Sequence, residues 1–308
     1  MSLRLQREEN LRQGLQRIAE ARLQEVLRLM GKDRLTAEPV HAARKTIKNL
    51  RATLRLTRGA LPPDARKEHN RVLRDFAGRL SGPRDAAVTL AAFEKAYRES
   101  RLDGDRRSGV RQPWVTQVRQ FLAGQAHAPV KAETYRDAAE GVRRLTGNVL
   151  PFPDGAEKDD WKTTVEAGLR KTYRQGRRLF AEIQNTPNAP DEKWHELRKR
   201  AKDLGYQLAL VKKLKGVKPL LAKLDEVGEA LGDARDLVLL REYLNKVRDK
   251  RELTPAEQQS FRSLLSHLDH QRERLHRQAL QIARTVYRTG GKKFTARMAK
   301  RWRSWHTG

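Results

Sequence analysis

Two stretches, VHAARKTIKNL at 40–50 and WHELRKRAKDL at 194–204, carry the same pattern, H-x-x-R-K-x-x-K-x-L. They pair His41 with His195, Arg44 with Arg198, Lys45 with Lys199 and Lys48 with Lys202. The same offset of 154 lays Leu11, Gly14, Leu15 and Arg17 on Val165, Gly168, Leu169 and Lys171. At an offset of 151, LSGPRDA (80–86) falls on LGDARDL (231–237), matching Arg84-Asp85 to Arg235-Asp236. Any one of these matches could be chance. Three in the same order, with a slip of three residues, indicate two copies of one unit.

The copies read as helical. From Leu11, the apolar positions Leu15, Ile18, Val26 and Leu29 recur at helical spacing, and Gly31 ends the run. Further helices are expected from Val40 to about Thr57, after Leu61-Pro62-Pro63 to Leu80, and again from Pro83. Two more are expected at about 114–126 and 130–145. Alternating β-branched runs with turn dipeptides are missing, so no sheet is expected. Residues 148–155 hold two prolines and no helical period, which sets the predicted boundary between one helical-bundle half at 1–147 and another at 156–308.

Composition narrows the function. The 308 residues contain 66 Lys and Arg against 38 Asp and Glu, a net charge of +28, which calls for an anionic partner. The absence of cysteine excludes disulfide scaffolds, thiolate metal sites and cysteine nucleophiles, and is compatible with a reducing cytosol. The first twenty residues are too charged for a secretory signal, and no apolar run is long enough to span a bilayer.

On the helix beginning near Val40, Ala43, Ile47, Leu50 and Leu54 share one face, the face expected to be buried. His41, Arg44, Lys48, Arg51 and Arg55 follow one residue out of phase. Fourteen residue steps from His41 to Arg55, at about 1.5 Å rise each, make a cationic row roughly 21 Å long, a better match to an extended polyanion than to one phosphate. Like charges at these spacings repel by a few tenths of a kcal/mol per pair, so a ligand would relieve them. A solvated face would look similar in a single helix; recurrence at His195, Arg198, Lys199 and Lys202 favours the ligand. The second row is shorter, because Gly205 and Ala209 stand opposite Arg51 and Arg55. Its neighbour compensates: Arg170, Lys171, Arg174, Arg177 and Arg178 form a dense basic face, whereas the first copy keeps only Arg17 there.

Gly82-Pro83 and Asp233-Ala234 both read as an N-cap followed by a first-turn residue, with Asp85 and Asp236 facing the helix dipole and Arg84 and Arg235 free to reach an anion. No phosphate-cradling glycine loop or nucleophile elbow is present. His195-Glu196 lacks the second histidine of a zinc-protease motif, and Asp225, Glu226 and Glu229 lie in an ordinary amphipathic segment. Neither a metal site, a cofactor nor a catalytic centre is expected. At the carboxyl end, Phe294, Met298, Trp302 and Trp305 share one helical side flanked by Lys293, Arg297, Lys300 and Arg301. This segment suits a helix docked on the bundle; a basic amphipathic helix can also lie on an acidic membrane.

The twin H-x-x-R-K-x-x-K segments, each followed by L-x-x-x-R-D at 80–85 and 231–236, resemble the conserved histidine α-helical domain, CHAD. The resemblance covers essentially the whole chain. It implies an all-α fold of two tandem four-helix-bundle-like halves related by a pseudo-twofold. It also implies non-enzymatic binding of inorganic polyphosphate by basic residues of both halves lining a shared groove or pore, and a cytoplasmic location at polyphosphate granules, with granule-associated proteins as further partners. The motif carries onto His41, Arg44, Lys45, Lys48 and Arg51, onto His195, Arg198, Lys199 and Lys202, and onto Arg84 and Arg235. Arg17, Arg55, Lys171, Arg174, Arg177 and Arg178 complete the candidate polyphosphate site. Gly205 departs from the family pattern, as does Ser81 opposite Gly232. The alternative reading is sequence-nonspecific nucleic-acid binding. With 6% aromatic residues, none of them between His41 and Arg55, the stacking platforms of a single-strand binder are lacking, and nucleic acid is expected as a weaker competitor.

Overall fold

The structure, a computed structural model, describes residues 3–31, 36–80, 83–104, 113–126, 139–153, 160–249 and 252–307. The regular elements among them are helical: α1 (Leu11–Met30), α2 (Ala37–Leu56), α3 (Pro63–Arg79), α4 (Pro83–Gly104), α5 (Pro113–Ala126), α6 (Ala167–Gln184, entered through a π-type turn at Lys162–Glu166), α7 (Asp191–Ala209), α8 (Val217–Arg248), α9 (Pro255–Val286) and α10 (Gly291–Thr307). Of the helix expected at 130–145, residues 130–138 lie outside the described residues and 139–143 are helical. The ends follow local chemistry. Asn10 caps α1 by accepting from the N–H groups of Arg12 and Gln13, and Gly31 closes it. Proline opens α3, where its missing N–H costs nothing.

The chain divides into two compact units, and each draws on both sequence copies. The first comprises 1–80, 130–228 and 280–308; the second comprises 81–129 and 229–279. Sequence-equivalent elements share a unit: α1 and α2 lie in the first with their counterparts α6 and α7.

In the first unit α2 is the central rod, packed against α1, α3, α6 and α7. Ala43, Ile47, Leu50 and Leu54 are buried on it as the apolar period requires. The helices approach closely where a side chain is absent: a Cβ on Gly168 of α6 would stand 1.9 Å from the Leu56 carbonyl oxygen. Buried Gln207 of α7 ties three helices by donating to the Ala52 carbonyl and the Thr172 hydroxyl, both at 3.1 Å. The terminal helix α10 docks on α6. Phe294, Met298 and Trp302 are buried, and Phe294 stacks on Tyr173 at 4.0 Å. Its apolar face is therefore used inside the unit, which corrects the membrane-surface alternative. Among the described residues no helix is long and apolar enough to cross a membrane.

The second unit is built on Phe93, Trp114, Val118, Leu240, Leu244, Phe261 and Leu264, with Trp114 edge-on to Phe261 at 5.4 Å. One expectation fails here. Asp233-Ala234 caps nothing, because α8 runs unbroken from Val217 to Arg248. The first copy has Pro83 at the matching position; Ala234 keeps its N–H and lets the helix continue. Ser81 and Gly82, and the side chains of 83–87, lie outside the described residues.

Candidate functional site

The first unit concentrates the charge. Its sequence spans contain 48 Lys and Arg against 24 Asp and Glu, net +24; those of the second contain 18 against 14, net +4. Residues 280–308 contribute eight cations and no acid.

On α2, His41, Lys45 and Lys48 are exposed, while Arg44, Arg51 and Arg55 are half-buried. The gradient has a simple cause: toward its C-terminus α2 becomes enclosed, with Ala52, Thr53, Leu54, Leu56 and Thr57 all buried. Arg51 donates from Nε to Asn70 of α3 at 3.1 Å. Burial, and then Arg55 beside it, holds the Arg51 guanidinium below its ordinary pKa. Arg55 reaches across to α7, its Nη2 lying 2.5 Å from Asp203 Oδ1. Arg200 of α7 meets the other oxygen of Asp203 at 3.3 Å.

The second copy of the motif is arranged differently. Arg198 donates to the Gly228 carbonyl at 3.1 Å, Lys199 pairs with Glu196 at 2.7 Å and Lys202 with Asp225 at 3.2 Å. Gly228 leaves the slot in which the Lys202 stem lies, since a Cβ there would stand 2.3 Å from Lys202 Cε. His195 is half-buried.

The basic face of α6 lines a groove of about 780 Å³ formed by Ala167, Arg170, Lys171, Arg174, Gln175, Arg177, Arg178, Ala181 and Gly291. Five of its nine lining residues are cationic and none is acidic. Gly291 of α10 gives the groove its depth: the Arg174 stem lies where its Cβ would be. Arg170 is tethered to Glu166, and Arg178 to Glu182 at 3.3 Å. Lys171 is exposed, and Arg58, then burial, then Arg66 lower its pKa. Lys171 therefore feels cations of the α2–α3 connection and of α3 itself.

The first unit thus brings together the α2 row, the α7 row and the α6 groove. Of the three other candidates, one lies in the first unit and two in the second. Arg17 is held by Glu9 at 2.8 Å and the Arg4 carbonyl at 3.1 Å. Arg235, half-buried, and Arg84, whose side chain is outside the described residues, belong to the second unit. Among the described residues no group of three or more His, Asp or Glu side chains converges as a metal site requires.

Sequence reading missed Arg58, Arg66 and Arg200, together with the acid Asp203. Arg58 and Arg66 lie outside the repeated motif, and nothing in the sequence signals their approach to Lys171. For Arg200, a local signal existed in the acid three residues on, but its counterpart at the matched position is Thr46, so the repeat concealed it.

The CHAD domain model matches residues 15–245. Two solved structures share the fold. PptA from Streptomyces chartreusis is 19% identical with a TM-score of 0.59, over 89% of this chain and 96% of that one. The CHAD domain from the plant Ricinus communis is 19% identical with a TM-score of 0.59, over 90% and 95%. No curated protein matches. With twin basic motifs on packed helices, an all-helical fold and a family model spanning most of its length, the chain belongs to the CHAD domain family.

Proposed function

We propose that the first unit binds inorganic polyphosphate without turning it over, through the α2 row His41, Arg44, Lys45, Lys48, Arg51 and Arg55, the α7 row His195, Arg198, Lys199 and Lys202, and the α6 groove of Lys171, Arg174, Arg177 and Arg178. One observation carries the reading. The two copies of the basic motif lie on α2 and α7, helices that pack against each other within the unit holding +24 of the net +28 charge. A linear string of phosphates has the charge spacing to run along such rows, replacing like-charge repulsion by charge-assisted hydrogen bonds. Arg17 is a secondary contact in this proposal, and Arg84 and Arg235 are proposed as polyphosphate contacts of the second unit, taken by itself. A cytoplasmic protein with this property would localise to polyphosphate granules and meet the proteins there.

Any polyanion benefits from counterion release, so affinity alone does not identify the ligand. The deciding experiment is competition at fixed ionic strength and equal phosphate concentration. Long-chain polyphosphate is expected to displace duplex DNA and RNA; the reverse order would overturn the proposal. Incubation of polyphosphate with the protein and magnesium or manganese is expected to release no orthophosphate.

A further inference from the structure

The joint between the two basic helices is short of negative charge. Asp203 is 7% exposed and is the carboxylate shared by Arg55 of α2 and Arg200 of its own helix. Arg51 stands beside this pair, held by the neutral amide of Asn70. The other groups at the joint do not balance it. Gln175 of α6 accepts from Arg200 at 3.4 Å and is neutral; Glu196 is 3.9 Å from Arg200 and already pairs with Lys199; Arg74 of α3 adds a further cation and is held by Asp75. The Nε atoms of both Arg55 and Arg200 are buried with no hydrogen-bond partner. A half-buried set of three guanidiniums with one carboxylate and unused donors is under-compensated. The first copy has neutral Asn49 at the position matching Asp203, so the acid is peculiar to the side where the rows meet.

We infer that Asp203 is an internal counter-anion, which holds Arg55 in the unliganded protein and yields it to phosphate when a polyanion binds. The inference rests on the polyphosphate reading above. The exchange leaves no stranded charge: phosphate takes Arg55, while Asp203 keeps Arg200, three residues away on the same helix. Two consecutive phosphates bring two charges and several acceptor oxygens where Asp203 brought one charge. A single phosphate must offset the lost cross-helix ion pair from one contact, whereas a chain spreads that loss over the whole row. Asp203 thereby disfavours small anions, and Arg200 joins the ligand-responsive residues.

The test is a double-mutant cycle with Asp203→Asn and Arg55→Gln, read as the affinity of the full chain for polyphosphate of defined length. Asp203→Asn is expected to tighten binding about tenfold. Arg55→Gln is expected to weaken binding less than about twofold in the wild-type background and about tenfold beside Asp203→Asn. A folded Asp203→Asn protein that binds no tighter, or costs that simply add, overturns the exchange. Should Asp203→Asn fail to fold, the wild-type Arg55 Nε–H resonance, assigned by its loss in Arg55→Lys, decides. A saturable shift at the measured affinity supports the exchange, and no shift at saturation refutes it. Failure of the wild-type chain to bind polyphosphate at all overturns the polyphosphate reading and this inference together, whereas binding without coupling removes only the exchange.

Discussion

In the first unit 48 basic residues face 24 acidic ones, while in the second the numbers are 18 and 14. Each unit draws on residues from both repeated stretches of the sequence, yet they differ sharply in charge. The second has an aromatic core around Trp114 and pairs its charges internally, as in Arg241 with Asp269 and Arg119 with Glu94 at 2.6 Å. The first accepts close helix contacts around α2 and carries an excess of cations on α2, α6 and α10. The placement of acids leaves the first unit strongly cationic and the second nearly balanced, which is what the proposed polyanion site requires.

The contrast can be tested first through packing. Gly168→Ala in the first unit forces a methyl group onto the Leu56 carbonyl oxygen and should cost about 3 kcal/mol or more in chemical denaturation. Gly124 of α5, with nothing within 4 Å of its would-be Cβ, should gain about 0.5 kcal/mol on Gly124→Ala from helix propensity and lower chain entropy. Similar effects at both sites would remove the difference in packing.

Charge reversal comes next. Lys48→Glu combined with Lys202→Glu should weaken polyphosphate binding about 100-fold, roughly 2.7 kcal/mol at about tenfold per lost contact. The same reversal at Lys246 and Arg262, exposed residues of the second unit, should change it less than about threefold, as measured by fluorescence titration at constant salt. Lys300→Glu with Arg301→Glu on α10 should fall far below the α2–α7 pair. Equal losses across the three would show that total charge alone sets affinity.

The smallest effect belongs to the second unit. Burial, with Arg272 beside it, lowers the His276 pKa to about 4. In the unfolded chain the imidazole gains a proton near pH 6.5, whereas the folded one stays neutral until about pH 4. The stabilisation is thus complete above 6.5 and is lost as pH falls from 6.5 toward 4. After allowance for solvent screening it amounts to on the order of 1 kcal/mol. His276→Gln should flatten that stretch of the stability profile in urea titrations at successive pH values. An unchanged slope would place the acid sensitivity elsewhere.

The helices were legible because their apolar residues keep a helical period and proline or glycine marks several ends; α1, α2 and α3 begin and stop within a few residues of where their sequence signals stand. The exception, α8, shows the limit of reading by homologous position. Asp233-Ala234 resembles its counterpart Gly82-Pro83 in alignment but lacks the proline that breaks the first copy. The α2 row was legible for the same periodic reason. Its C-terminal enclosure was not, since Arg51 meets Asn70 of the next helix and Arg55 meets Asp203 of α7, contacts that no helical period encodes. Nor could the pattern reveal that Lys202 already has an acidic neighbour in Asp225, which lies on another helix, whereas Glu196, three residues before Lys199, was a local signal.

The acid-free final stretch, with eight cations added to an already positive unit, sets two responses to ionic strength against each other. Mobile ions quiet the mutual repulsion that opposes docking of α10, so the native state should gain heat resistance in concentrated sodium chloride. The same ionic atmosphere dulls the attraction for a polymeric anion, so a brine that makes this protein sturdier should also weaken the polyphosphate binding proposed for it.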